Sequence, residues 1–153
     1  MASQSDSSIS RARRNTERVL RSLGIDPARS EIEAPGGGAA WHVTRGSADV
    51  MVAINPAAGE QAARLRMVSP IVRLPYETPP AALQRLLELN AGEMPGVAFG
   101  ILAGKVVLVA ERSVNALDRE EIAELLQLIG HLADKYDDEL AEEFEGTRVC
   151  DDD

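Results

Sequence analysis

Residues 118–144 read DREEIAELLQLIGHLADKYDDELAEEF. Apolar side chains recur there every three or four positions, a spacing that places them along one face of an α-helix. Asp118 followed three residues later by Glu121 is a capping box, which marks the start of that helix. At 1.5 Å per residue the helix would be about 40 Å long, which is longer than a small domain is wide. We therefore expect another polypeptide to cover part of its apolar stripe. The stripe consists of Ile122, Leu125, Leu126, Ile129, Leu132, Ala133, Tyr136, Leu140 and Phe144.

The composition is that of a globular protein with an aliphatic core. A length of 153 residues fits one domain. Aromatic residues make up only 3% of the chain, so stacking platforms for single-stranded nucleic acid are largely missing. No apolar run reaches the roughly 18 residues that a membrane span needs, and the polar start of the chain does not read as a secretion signal. The single cysteine, Cys150, excludes an internal disulfide and a cysteine metal cage. We expect a cytoplasmic protein.

Charge is distributed unevenly along the chain, whose net charge is −9. Residues 1–73 carry 10 arginines and 7 acids, a net of +3, whereas residues 74–153 carry 6 basic residues and 18 acids, a net of −12. Acidity of this kind disfavours nucleic acid and anionic membranes as partners. It favours solubility or a basic protein partner.

The order of patterns predicts an α+β fold. A helix over 10–23 is followed by three strands, at 41–44, 49–54 and 65–74, and then by a short helix that Thr78 can cap. A hairpin with its turn at Ala103-Gly104 and the long last helix complete the order α-β-β-β-α-β-β-α. We expect a five-stranded antiparallel sheet packed with helices. The expected organisation is a disordered N-terminus at 1–8, a single domain at 9–146 and an acidic tail at 147–153.

Several local segments stand out when taken in order. They are LRMVSP at 65–70 leading into Leu74-Pro75, LLELN at 86–90, FGI at 99–101 with VVLVAE at 106–111, and the long last helix. Together they resemble the YbjN-like family of bacterial sensory transduction regulators. That family resembles the type III secretion chaperones of the Tir-chaperone kind in fold. The resemblance covers about residues 10–145. It implies a domain that is usually dimeric, has no assigned enzymatic activity, and in secretion chaperones holds an extended segment of a partner protein.

The side chains that could act in catalysis or bind a metal are in positions typical of structural residues. His42 alternates with Trp41 on a strand, so the two face opposite sides. His131 and Asp134 share a helix face, but a metal site needs three or four ligands and no third is evident. Cys150 stands among aspartates, which raise the pKa of a thiol and disfavour a nucleophile. We expect no catalytic residue, no cofactor and no metal.

Two further features have structural interpretations. The many carboxylates of the last helix alternate with its apolar stripe, which indicates a solvated face and not an acid–base pair in a cleft. The glycines at 36–38 precede a strand and lack the context of a nucleotide-binding loop. Gly130 adjoins the stripe although glycine costs a helix about 1 kcal/mol. Either a close backbone approach, to the sheet or to a second helix, offsets that cost, or the glycine is merely tolerated.

Three functional hypotheses follow. The first is a non-enzymatic protein-binding module, chaperone-like or regulatory, that captures a protein segment as a homodimer. The second is a sensor or adaptor domain that binds a small ligand or a basic signalling partner through its acidic C-terminal helix. The third, an unrecognised enzyme, would need an enclosed pocket with paired titratable groups. For the first, the expected partner or dimer contacts are Leu83, Leu86, Leu87, Ile129, Leu132, Tyr136, Leu140 and Phe144.

Overall fold

The structure is a computed structural model that describes residues 2–34 and 36–149. Its helices are α1 (Ala2–Ser22), α2 (Pro27–Ser30), α3 (Pro80–Gly92) and α4 (Arg119–Glu143), with a 3-10 turn at Val114–Ala116. Its strands are β1 (Glu31–Ile32), β2 (Ala39–Arg45), β3 (Ala48–Asn55), β4 (Arg64–Arg73), β5 (Ala98–Leu102), β6 (Lys105–Ser113) and β7 (Thr147–Arg148).

The strands form one sheet in the order β1-β2-β3-β4-β6-β5, and β7 pairs with β4. The predicted α+β class with an antiparallel sheet is confirmed, but the predicted number of five strands is wrong. Among the described residues, six strands follow one another in the order and β7 is a seventh. The two strands that the sequence missed, β1 and β7, are only two residues long. A two-residue strand is too short to show alternation.

The ends of the chain differ from the sequence-based expectation. Residues 2–8 were predicted to be disordered, but they belong to α1. These residues are mostly polar and show no apolar periodicity, so the sequence did not indicate a helix there. Polar residues can still extend a helix towards its N-terminus. At the other end, Thr147 and Arg148 of the predicted acidic tail pair with Arg73 and Val72 of β4. The rest of the tail from Cys150 lies outside the described residues, and the single domain at 9–146 stays a prediction.

The helix boundaries follow their capping chemistry. The Asp118 carboxylate accepts a hydrogen bond from the Glu121 N–H at 2.8 Å, so the predicted start of α4 is confirmed. The predicted cap of α3 is wrong, because Pro79 occupies the N-cap position without a side-chain bond. The Thr78 hydroxyl instead donates to the Pro75 carbonyl at 3.0 Å and stabilises the preceding turn.

The described chain divides into two compact units. Unit one comprises Met1–Val43, Met51–Met67 and Glu111–Gln127. Its core is built on Trp41, which is fully buried, while the neighbouring His42 is exposed as strand alternation predicts. Leu20 of α1 and Leu126 of α4 are other large side chains of this core.

Unit two comprises Thr44–Val50, Val68–Ala110 and Leu128–Asp153. Its core centres on Tyr136 of α4, whose ring meets that of Phe99 edge to face at 5.2 Å and 86°. The Tyr136 hydroxyl donates to the Glu93 carboxylate at 3.2 Å. This unit contains α3 and the β5–β6 hairpin, which position the candidate site described below.

Candidate protein-binding site

The apolar stripe of α4 lies in the core of the chain. Of the eight residues expected to contact a partner, six are at most 6% exposed. They are Leu86, Ile129, Leu132, Tyr136, Leu140 and Phe144. The expectation that the stripe needs a second polypeptide to cover it is therefore corrected, because the protein's own residues cover it. The prediction depended on the length of the helix. The sequence does not show how much of the stripe the rest of the chain covers.

Leu83 and Leu87 are the two expected contact residues that the structure exposes, at 40% and 69%. They lie one turn apart on α3, so they share a face of that helix. Strand β5 adds Ile101 and Leu102, which are 49% and 52% exposed. Neighbouring residues of a strand project from opposite faces, so Ile101 and Leu102 lie on the two sides of β5. We call these four side chains at the edge of the sheet the edge patch.

The edge patch stands at the end of the sheet, because β5 is the last strand in the order. The β5–β6 hairpin turns at Ala103 and Gly104, whose φ angles of 51° and 74° fit a two-residue turn with both residues left-handed. Such a turn makes the flanking pair, Leu102 and Lys105, a hydrogen-bonded pair. By alternation, the backbone N–H and C=O groups of Phe99 and Ile101 then point to the outer side of β5.

The outer backbone groups of Phe99 are occupied by a side chain. The Phe99 N–H donates to Asn90 Oδ1 at 2.7 Å, and Asn90 Nδ2 donates to the Phe99 carbonyl at 3.0 Å. Asn90 thus takes the place of a neighbouring strand at this residue. It also fixes α3 beside β5. Because Leu83, Leu87 and Asn90 follow one another at i, i+4 and i+7, the three side chains share one face of α3.

Ion pairs connect α4 to α3 and to β7. Arg85 on α3 forms ion pairs with Glu139 at 3.5 Å and Glu143 at 3.3 Å, both on α4. Arg148 of β7 donates to Asp138 at 2.7 Å. Several acids of α4 are therefore neutralised by arginines of the same chain. Pairing of this kind reduces the charge that the acidic helix could offer to a basic partner.

The arginines of α1 have acidic neighbours of their own in unit one. Arg13 contacts Glu17 at 3.1 Å and Glu31 at 2.7 Å, and its guanidinium carbon lies 6.0 Å from the Trp41 ring centroid. The hydrogen bond that Arg13 donates to the Glu17 carboxylate is the main cause that raises the pKa of Arg13, with a further contribution from the charge of Glu31. Arg11 donates to the Asn115 carbonyl at 3.0 Å. These contacts give much of the basic face of α1 a structural role.

Gly130 is a point of close approach between α4 and the β2–β3 hairpin. A Cβ atom on Gly130 would lie 3.1 Å from Cβ of Arg45. One turn later, Asp134 accepts a hydrogen bond from the Ser47 hydroxyl at 2.6 Å. Of the two interpretations of Gly130, the close backbone approach to the sheet is therefore the one that the structure supports.

The described residues contain no group of three or more histidine, cysteine, aspartate or glutamate side chains that could hold a metal ion. His131 is exposed on α4, and Cys150 lies outside the described part of the chain. None of the described helices is long and apolar enough to cross a bilayer.

Comparison with known proteins identifies the family. Residues 18–152 match the family model TY-Chap1, described as T3SS (YopN, CesT) and YbjN peptide-binding chaperone 1. The chain belongs to this family. The resemblance to YbjN-like proteins and type III secretion chaperones is thereby confirmed, and the protein is a peptide-binding, chaperone-like protein. No curated protein gives a significant match to the chain.

Two solved structures resemble this chaperone-family protein in fold. A chain of the ExsC–ExsE complex has a TM-score of 0.63 and 17% identity, and the match covers 86% of this chain and 94% of that one. A chain of the heterodimeric ExoU–SpcU complex from the type III secretion system of Pseudomonas aeruginosa has a TM-score of 0.56 and 16% identity. The match to it covers 80% of this chain and 94% of that one. Sequence identities this low support a similarity of fold and nothing more.

Two residues of the edge patch, Ile101 and Leu102, were not predicted from the sequence. Ile101 and Leu102 belong to an apolar run, and runs of this kind usually indicate a covered strand. Only the strand order shows that β5 is at the end of the sheet. The hairpin signal at Ala103-Gly104 could have found them, since residues beside a hairpin tip are often exposed.

Proposed function

We propose that this protein is a non-enzymatic, homodimeric chaperone that holds an extended segment of another protein, and that two copies associate through the edge patch. The peptide-binding family supports the capture of a segment. The observation that carries the dimer is the edge patch itself, four exposed apolar side chains on two neighbouring elements at the end of the sheet. Apolar residues at an open sheet edge are a liability for a chain on its own.

A second copy fits the edge patch because a two-fold contact places the same surface on both sides. In such a contact Leu83 and Leu87 of one copy face the equivalent residues of the other. The outward backbone groups of Ile101 can pair across the axis, whereas those of Phe99 are held by Asn90. Asn90 therefore limits strand pairing at this edge and leaves apolar contact as the main source of affinity.

The alternative is a sensor or adaptor that binds a small ligand or a basic partner through α4. The net of −12 over residues 74–153 favours it. The ion pairs of Asp138, Glu139 and Glu143 with arginines of the chain weigh against it. The two functions differ in salt dependence, because screening is strong at 1 M salt, where the Debye length is about 3 Å, and weak at 0.1 M, where it is about 10 Å.

Affinity purification of the tagged full chain from its host at 0.1 M and 1 M salt, followed by limited proteolysis of the complex, tests the proposal. We expect one partner to survive 1 M salt and to keep a single contiguous segment protected from the protease. A partner that is released at 1 M salt would favour the sensor or adaptor function. We also propose a cytoplasmic location, which cell fractionation checks.

A further inference from the structure

A polar pocket in unit one has no role in the function so far proposed. It has a volume of about 440 Å³, which is within the usual range of ligand sites. Its lining includes Arg64, Arg66 and Glu111, together with Asn55 and Gln61. The two arginines outnumber the one carboxylate. In a protein of net charge −9, this is a local site of positive charge.

The sheet builds this arrangement by strand alternation. Arg64 and Arg66 are two residues apart on β4, so both side chains project from the same side of the strand. Leu65 and Met67, which alternate with them, are fully buried. Glu111 on β6 contacts the Nε of Arg64 at 3.3 Å and accepts a hydrogen bond from Arg66 at 2.6 Å.

The loop between β3 and β4 contributes another wall of the pocket. Its turn is closed by two backbone hydrogen bonds between Ala58 and Gln61, each of 3.0 Å. The turn holds Gln61 at the pocket, and Asn55 at the end of β3 lines it as well. Side-chain amides can both donate and accept hydrogen bonds. They suit the backbone N–H and C=O groups that flank a charged residue in an extended peptide.

We propose that this pocket binds the carboxylate of a glutamate or aspartate side chain in the segment that the chaperone holds. Glu111 already shows that both guanidinium groups can converge on one carboxylate. Each guanidinium has five N–H donors, more than Glu111 uses, so a second carboxylate can share the pair. The side chains of Arg64, Arg66 and Glu111 are 47%, 36% and 33% exposed, which leaves them accessible to a ligand. This inference rests on the proposed capture of a segment and adds the chemical class of that segment.

A pair of fluorescent peptides tests the inference by anisotropy. Both are extended, serine- and threonine-rich nonapeptides; one has a central glutamate and the other has glutamine in the same place. We expect the wild-type protein at 0.1 M salt to bind the glutamate peptide roughly tenfold more tightly, the scale of one charge-assisted hydrogen bond. Unlabelled glutamate peptide should displace the tracer, and inorganic phosphate at the same concentration should not.

Two variants with opposite expected effects separate recognition from a purely structural ion pair. Arg66→Gln should reduce the ratio of the two affinities to about one. Glu111→Gln should increase it, because the competing carboxylate is gone. Arg21→Gln is the matched control, since it also removes an arginine paired with a glutamate, Glu17 at 3.6 Å, but lies on α1. It should leave the ratio unchanged.

Four results would overturn the inference. Equal binding of the two peptides by the wild-type protein would contradict carboxylate recognition while leaving segment capture intact. Equal displacement by phosphate would show a site for free anions. Failure of both peptides to bind would contradict the inference together with segment capture by this surface. A loss of glutamate selectivity in Glu111→Gln would show that the ion pair only supports the sheet.

Discussion

The side chain of Asn90 on α3 pairs with both backbone groups of Phe99 on β5, at 2.7 Å and 3.0 Å. A single amide thus satisfies a donor and an acceptor on the outer side of the last strand. The bonds also connect the helix and the strand that carry the edge patch. Their loss would leave two backbone groups without these partners and weaken the support of that patch.

Asn90→Ala should lower the free energy of unfolding by about 1–3 kcal/mol, the range for leaving partly buried polar groups without partners. Urea denaturation measures this change. Gln84→Ala is the matched control, because the Gln84 amide donates at 2.8 Å to Glu88 on the exposed face of the same helix. Its effect should stay within about 0.5 kcal/mol. Equal effects of the two substitutions would show that Asn90 has no special role at the strand.

Leu140→Asp should prevent stable folding, because Leu140 has no exposed surface and the aspartate would be buried without a partner. The truncation Leu→Ala alone costs about 2–5 kcal/mol in a core, against a total stability of about 5–15 kcal/mol. Circular dichroism with thermal melting checks this expectation. A soluble variant with a native spectrum and a wild-type melting temperature would make α4 a candidate partner surface again.

Gly130→Ala should lower stability by about 1 kcal/mol. Alanine gains about 1 kcal/mol in helix propensity, but its Cβ would press on Arg45 at 3.1 Å, and overpacking costs about 1–3 kcal/mol. Gly92→Ala at the end of α3 is the control, since its Cβ would meet nothing within 4 Å. It should be neutral or stabilising. If Gly130→Ala stabilised the protein as much as Gly92→Ala does, the approach of Arg45 would carry no cost.

Much of the fold could be predicted because its main elements have strong local patterns. The cap at Asp118 and the hairpin turn at Ala103-Gly104 both depend on interactions between near neighbours in the chain, and both predictions are confirmed. The cap at Thr78 failed because two prolines follow it and the hydroxyl found the Pro75 carbonyl instead. Strand order is a long-range property, so nothing local showed which strand ends the sheet.

The candidate site was harder to predict than the fold. The sequence identified α4 as apolar on one face, but an amphipathic pattern does not say whether that face meets its own core or a partner. Leu83 and Leu87 have the same spacing as the buried leucines, and only the structure distinguishes them. The pocket at Arg64 and Arg66 depends on Glu111, which is far away in the chain and reaches them through strand pairing.

We propose that two copies of this protein associate through the edge patch and not through the stripe of α4. Ile32→Asp is a suitable control for Leu87→Asp, because Ile32 is 40% exposed on β1 at the opposite end of the strand order. Both variants introduce one carboxylate at an exposed apolar position, so both should remain folded.

Sedimentation equilibrium at micromolar concentration gives the decisive result. We expect the wild-type protein and Ile32→Asp to have twice the 16.4 kDa mass of one chain, and Leu87→Asp to have the mass of one chain and a wild-type circular dichroism spectrum. A monomeric wild-type protein, or a Leu87→Asp variant that remains dimeric, would contradict this expectation.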